Sequence, residues 1–302
     1  MDDTIVFQNK GDRERFAAAK ALHSPDVEKE TSPLVINLQR ILNPPGRKAR
    51  FPRPLVSLIE KVVRQKRLNE ILAEAYPAAG SAFALNALRA IGIKVEVEGL
   101  ENIPATGRHL FASNHPLGGL DGISLIAFLG ILYGDDNIRF PVNGMLMNVR
   151  PLKSVFLPIN KYGRQGRHAA VDINEAYRSD AQMIMFPAGL VSRLNKKGGI
   201  EDLQWQKAFL MKAIESGRDI IPIRFEGLNR RRFYRLAKLR KRLGIKINIE
   251  QAFLPAELCA ATGARYRIII GKPISCTRLK EMVVESSPME AAARLRSHIY
   301  SM

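Results

Sequence analysis

The stretch His109-Leu110-Phe111-Ala112-Ser113-Asn114-His115-Pro116-Leu117-Gly118-Gly119-Leu120-Asp121-Gly122 joins a short apolar run, a turn rich in Pro and Gly, and the start of a second apolar stretch that runs on to Leu132. The first run has the length of a strand and the second that of a helix, with turn residues between them. A strand that passes through a glycine-rich loop into a helix is the repeating unit of an α/β sheet with crossover helices. Working outward, the same texture returns. Strands are expected at Lys94 to Glu98, His109 to Ser113, Ile138 to Val142, Val155 to Ile159, Met183 to Phe186, Ile220 to Phe225 and Tyr266 to Ile270. Helices are expected at Gly122 to Leu132, His168 to Arg178, Trp205 to Ser216, Arg230 to Leu243 and Pro288 to Tyr300. The last carries Ser287, Pro288 and Glu290 at N-cap, N1 and N3, a capping box with proline where its missing N–H costs nothing.

The fold class expected is therefore α/β: a single domain over 93–302 with a mixed, largely parallel central sheet of about seven strands flanked by helices. Ahead of it, 54–92 reads as a helical segment. Apolar positions 55, 58, 59 and 62 repeat at helical spacing, a second set at 68, 71, 72 and 75 follows out of phase, and Phe83 to Ile91 forms a further helix closed by Gly92. Residues 1–53 mix charges, end in the turn-rich Asn43-Pro44-Pro45-Gly46, and read as an N-terminal arm with one or two short helices.

Composition narrows the function. With 46% hydrophobic and 25% charged residues the chain is neither a disordered chain nor a polytopic membrane protein. The longest uncharged run, Ala75 to Leu88, holds Pro77, Gly80 and Asn86 and falls short of the roughly 18 apolar residues that span a bilayer. Cys259 and Cys276 are the only cysteines and have no metal-like spacing, so neither a disulfide framework nor a metal site is indicated. The Met-Asp-Asp start is not a secretory signal, which sets the expected location on the cytoplasmic side. The net charge of +18 asks for an anionic partner: nucleic acid, anionic lipid or a phosphorylated substrate.

Three loops carry candidate chemistry, each just beyond an expected strand, where α/β enzymes place their sites. In the first, His115 offers an imidazole that can accept a proton and Asp121 is placed to orient it, which makes a general-base pair in outline. On one continuous helix that six-residue step turns through roughly 600°, about 240° net, and the two side chains would part. The loop must fold back, and Gly118 and Gly119 allow that. The bland alternative is a structural turn with Asn114 and Asp121 as caps. In the second, Phe186-Pro187-Ala188-Gly189-Leu190-Val191-Ser192-Arg193, Gly189 permits close backbone approach, and Ser192 and Arg193 offer a hydroxyl and a guanidinium to an anion. The third, Pro158-Ile159-Asn160-Lys161-Tyr162-Gly163-Arg164, offers Lys161 and Arg164 by the same logic.

Taken in order, these loops resemble the lysophospholipid acyltransferase superfamily. Asn114-His115 with Asp121-Gly122 matches the first family block, Pro158 to Lys161 the second, Phe186-Pro187-Ala188-Gly189 the third and Ile220-Ile221-Pro222-Ile223 the fourth. The wording is most similar to the hemolysin-like bacterial branch, which includes O-acyltransferases of amino-acid lipid synthesis. The likeness runs from about Lys94 to Ile274, more weakly back to Leu68. Two departures stand out: five residues rather than four separate His115 from Asp121, and Ala188 stands where a glutamate is usual, with Arg193 two positions further from the glycine than the family arginine.

The resemblance implies transfer of a fatty acyl group from a thioester, on coenzyme A or acyl carrier protein, to a hydroxyl of a lysolipid, either an amino-acid lysolipid or lysophosphatidic acid. In that scheme His115 and Asp121 are catalytic, Asn114, Lys161, Arg164, Gly189, Ser192 and Arg193 bind substrate, and backbone donors near Gly189 stabilise the oxyanion. No tightly bound cofactor and no metal are needed, because the thioester supplies the activation. The partners implied are the lipid acceptor, the thioester donor, an acyl carrier protein where that is the donor, and an anionic membrane surface, with the protein peripheral on the cytoplasmic side of the inner membrane. Rival readings are a basic nucleic-acid-binding protein, supported by charge alone, and a non-catalytic lipid-binding relative. Between Arg230 and Lys246 nine Lys or Arg occur with no acid, while Phe233, Leu236, Leu239 and Leu243 share a helical face. That is the pattern of an interfacial helix and equally of a solvated helix with a core-facing stripe, and it accounts for the charge better than nucleic acid does.

Overall fold

The computed structural model describes residues 4–23, 32–46, 50–159, 167–195, 197–244 and 248–302. In chain order its strands are β1 (Ile5–Phe7), β2 (Lys94–Glu98), β3 (His109–Ser113), β4 (Ile138–Asn143), β5 (Phe156–Ile159), β6 (Gln182–Met185), β7 (Arg193–Leu194), β8 (Ile200–Glu201), β9 (Asp219–Glu226) and β10 (Arg265–Ile270). The helices are α1 (Lys10–Leu22), α2 (Leu38–Leu42), α3 (Arg53–Val63), α4 (Gln65–Ala75), α5 (Gly80–Ile91), α6 (Gly119–Tyr133), α7 (Arg167–Arg178), α8 (Ala208–Ser216), α9 (Arg231–Arg242), α10 (Leu254–Ala260), α11 (Cys276–Glu285) and α12 (Pro288–Ser301).

Eight strands form the main sheet in the order β1-β2-β10-β9-β3-β6-β4-β5, and β7 pairs with β8 in a separate small hairpin. Every neighbouring pair of the main sheet is parallel except β9 with β10. The class is thus a mixed, largely parallel α/β sheet, with one strand more than expected. The eighth is β1, which pairs parallel to β2 with Ile5 opposite Val95. Three residues are too few to display alternation, so this strand is silent in the sequence. The N-terminal segment is accordingly no detached arm. Phe7 and Phe16 pack against each other and against Phe128 of α6 with ring centroids 4.9, 6.4 and 6.0 Å apart, inside the core.

Alternation along the central strands sends side chains to two layers. Phe111, Ile184, Ile221 and Ile223 face a core shared with α1, α4, α5 and α6, and Leu110, Ala112, Met183 and Ile220 face one shared with α7, α8, α11 and α12. Strands that are buried on both faces explain why β3 reads as an unbroken apolar run. The same core takes in Leu68, Ile71, Leu88 and Ile91 of the helices over 54–92. α11, with only Leu279 and Met282 buried, has too thin an apolar stripe to be read from the chain.

His109, at the start of β3, is buried, and burial first and then the nearby Arg218 guanidinium hold its pKa below the ordinary 6.5, against the opposing pull of Gln182 and Asp219. Arg218 is fully buried and donates to the carbonyls of Tyr177, Ala181, Ala176, Ser179 and His109. A base whose folded pKa is depressed gives stability that is complete above its unfolded value and is lost as the pH falls from there towards the folded value. Stability, and with it the melting temperature, is therefore expected to fall on acidification below about pH 6.5, the free energy of unfolding by no more than about 1.4 kcal/mol per pH unit from this group. His109→Gln should flatten that slope in melts recorded between pH 7.5 and 5.5; an unchanged slope assigns the acid lability elsewhere.

Candidate active site

The β3–α6 loop, the turn after β6 and the loop after β9 meet at one edge of the sheet. α6 begins at Gly119, so Asp121 lies in its first turn, where an acidic side chain meets the exposed backbone N–H groups. Gly118 makes the return possible. It sits at φ 87°, ψ −102°, and a Cβ there would come within 2.9 Å of Leu254 and 3.2 Å of Val191. His115, still in the loop, is thereby folded onto Asp121, with Nδ1 3.0 Å from Oδ2. The five-residue spacing therefore closes the pair.

Asp121 is fully buried, and its charge is met by backbone donors. Oδ2 accepts from Leu117 N–H at 2.9 Å and Gly118 N–H at 3.2 Å, and Oδ1 accepts from Gly122 N–H at 2.9 Å. Because the carboxylate only accepts, the imidazole proton resides on Nδ1 and Nε2 is left as the basic nitrogen. Nε2 has no hydrogen-bond partner among the described residues. The ring plane is set by Phe186, stacked at 4.0 Å and 16°, which in turn meets Phe140 edge-on at 5.4 Å.

The main chain of His115 is held as firmly as its ring. Its carbonyl accepts from Ser192 N–H at 2.8 Å, and its N–H donates to Asp202 Oδ1 at 3.1 Å. Asp202 is itself buried, and also accepts from the Ser192 hydroxyl at 2.6 Å and the Trp205 indole at 2.9 Å. Asn114 is tied to β9 by a reciprocal pair with Phe225, N–H to Oδ1 at 2.6 Å and Nδ2 to the carbonyl at 2.9 Å. Asn229 closes the far side by donating to the carbonyls of Pro116 and Leu117.

These contacts sort the expected site residues. His115 and Asp121 come together, whereas Asn114 and Ser192 spend their side chains on the protein and act as struts of the loop. Arg193 does the same. Its guanidinium pairs with the fully buried Glu250 at 2.8 Å, donates to the Val191 carbonyl at 2.7 Å and lies over the Phe233 ring. Burial lowers its pKa, with Glu250 opposing. Gly189 adopts φ 62° as a turn residue, and its own N–H donates to Phe186 O at 2.9 Å. Lys161 and Arg164 lie outside the described residues. The sequence reading missed Asp202, Asn229 and Glu250, whose partners are remote in the chain, and the stacking role of Phe186.

The first and third blocks of the sequence thus meet at one histidine–carboxylate pair, and the comparison with known proteins agrees with the resemblance they carry. A family model described as Acyltransferase matches residues 44–300. The chain belongs to this acyltransferase family. The superfamily resemblance read from the four blocks holds, and the protein is an acyltransferase enzyme. A lyso-glycine lipid O-acyltransferase of Phocaeicola vulgatus is 41% identical over 247 residues, which cover 81% of this chain and 88% of that protein. One from Bacteroides thetaiotaomicron is 40% identical over 247 residues, covering 81% and 90%. The crystal structure of the 1-acyl-sn-glycerophosphate (LPA) acyltransferase PlsC from Thermotoga maritima aligns at 17% identity with a TM-score of 0.44, over 81% of this acyltransferase and 87% of that chain. The matched span of the family model opens ahead of α3 and closes within α12, so the helices over 54–92 fall within the family unit.

Proposed function

We propose that this acyltransferase moves a fatty acyl group from a thioester to the hydroxyl of a lysolipid, with His115 as general base. The observation that supports it most is the Nδ1–Oδ2 contact of 3.0 Å, which leaves Nε2 as the proton acceptor. In the proposed step Nε2 takes the proton of the acceptor hydroxyl as its oxygen attacks the thioester carbonyl. Asp121 steadies the imidazolium that results, and the proton passes to the departing thiolate as the tetrahedral adduct collapses. The ester and a free thiol leave, and the imidazole is restored. Phe186, stacked on the ring, holds its plane and keeps water off that face.

The acceptor proposed is an amino-acid lysolipid of the lyso-glycine type, on the strength of the 41% and 40% identical relatives that carry that name. Ala188, in place of the family glutamate, and Arg193, bound to Glu250, both argue against a site built for glycerol phosphate. Lys161 and Arg164 are proposed for the acceptor's anionic end, with coenzyme A or acyl carrier protein as donor carrier. The protein is proposed to work on an anionic membrane surface. No helix among the described residues is long and apolar enough to cross a membrane, while Leu55, Leu58 and Val62 on α3 and Leu239 and Leu243 at the α9 end are exposed. Purified protein given palmitoyl-coenzyme A is expected to acylate lyso-glycine lipid at least as fast as lysophosphatidic acid, scored by mass spectrometry of the extracted lipids. A clear preference for lysophosphatidic acid refutes the acceptor assignment, and no transfer to either with any thioester refutes the reaction.

A further inference from the structure

We infer that Asp202 is a positioning residue of the acyltransferase: its carboxylate fixes the His115 backbone, and through Ser192 it locks together the two loops that form the site. Three donors converge on this one buried group. Oδ1 takes the His115 N–H at 3.1 Å and the Ser192 hydroxyl at 2.6 Å, and Oδ2 takes the Trp205 indole N–H at 2.9 Å. Ser192 returns its own N–H to the His115 carbonyl at 2.8 Å, so His115 is gripped on both sides of its peptide by one pair of residues. α12 carries the grip to the far end of the chain. Asp202 N–H donates to the Tyr300 hydroxyl at 2.8 Å, and Arg296 donates to the Asp202 carbonyl at 2.8 Å. Burial, then the Asp202 charge, push the Tyr300 phenol up to about 12, so it stays a neutral partner. No cation pairs with the Asp202 carboxylate among the described residues, which leaves those three donors as its compensation. That is an arrangement for holding a loop at a fixed height above Asp121 rather than for binding a ligand.

The donor count supplies the test. In Asp202→Asn the amide oxygen can still accept from His115 and Ser192, but its NH2 then meets the Trp205 N–H, donor against donor. The conflict displaces the side chain, and a misplacement near 1 Å costs on the order of 10²-fold in rate. kcat is expected to fall by about that factor, with the KM of both substrates changed by less than about two-fold, because only the reacting geometry is touched. Trp205→Phe deletes the opposing donor, so the Asp202→Asn/Trp205→Phe double variant should recover most of the lost kcat even though the smaller ring lowers its melting temperature. Activity that follows melting temperature across the set, with the double variant slowest, reduces Asp202 to a structural role and overturns the inference.

A second readout does not depend on turnover. In protein labelled with 15N-histidine, the His115 amide, identified by its loss in His115→Ala, should move upfield when its carboxylate acceptor becomes a neutral amide. An unmoved resonance also overturns the inference. The kinetic arm rests on the proposed acyl transfer, and wild-type protein in the same assay reports on that reading, so failure of the reaction and failure of the Asp202 role are told apart.

Discussion

Alanine at His115 is expected to lower the rate of acyl transfer by about 10²- to 10⁴-fold, the span a lost general base removes, with the fold unchanged. The structure shows why the loss should be chemical. When the ring is removed, Asp121 keeps the N–H groups of Leu117, Gly118 and Gly122 at 2.9 to 3.2 Å, so no buried charge is stranded. Asp121→Asn should be comparably slow but less stable. Asp121 is a fully buried residue of the first turn of α6, not a surface loop residue, and a carboxamide offers only one acceptor oxygen to donors that now reach two. Leaving a buried donor without a partner costs about 1–3 kcal/mol. Steady-state rates beside thermal melts separate the two effects. A folded His115→Ala enzyme with near wild-type rate sinks the mechanism, and collapse of both variants returns the loop to the status of a structural turn.

The contrast between these two residues also shows what a chain can disclose. His115 and Asp121 stand only six positions apart, so their pairing followed from local chemistry plus the freedom of Gly118. β2 and β3 were legible to the residue because turn residues bracket short apolar or alternating runs. Asp202 was not legible. It meets His115 across 87 positions and its Tyr300 partner across 98, and nothing in the polar stretch around it marks it as buried. Trp205 misled in a related way. It looks like the opening of α8, yet the helix starts at Ala208 because the indole turns back to Asp202. In α9 amphipathicity was clear but the reach of the core was not. Phe233 and Tyr234 are buried against Val191, whereas Leu239 and Leu243 are 52% and 64% exposed, since the helix runs on past the edge of the packed layer.

That overhang carries a stripe of exposed charge. Arg231, Arg235 and Lys238 fall at i, i+4 and i+7 on α9, all exposed and with no acidic partner among the described residues. The cations that are engaged lie apart from them: Arg230 and Arg232 hold Glu257, and Arg240 holds Glu250 with Arg193. Burial raises the Glu257 carboxyl, but hydrogen bonds and charge from Arg230, with Arg232, outweigh this and leave it below the usual range, so that anchor is ionised at neutral pH. The exposed stripe is thus spare charge beside two exposed leucines, the composition of a surface that rests on anionic head groups. Each such cation contributes roughly 1 kcal/mol near an anionic leaflet, and changing three to Glu replaces three attractions with three repulsions, a shift of about 3 to 6 kcal/mol at low salt. The Arg231→Glu/Arg235→Glu/Lys238→Glu variant is therefore expected to lose about 10²- to 10⁴-fold in affinity for phosphatidylglycerol-containing vesicles, a difference that narrows as salt shortens the Debye length to about 8 Å. Turnover of detergent-dispersed substrate should persist, because the packed face of α9, with Phe233 and Tyr234, and both ion-paired anchors are untouched. Vesicle flotation and the detergent assay on one preparation decide it. Undiminished flotation of a folded triple variant transfers the membrane contact to the exposed Leu55, Leu58 and Val62 of α3, where an acidic substitution at Leu58 is the corresponding test.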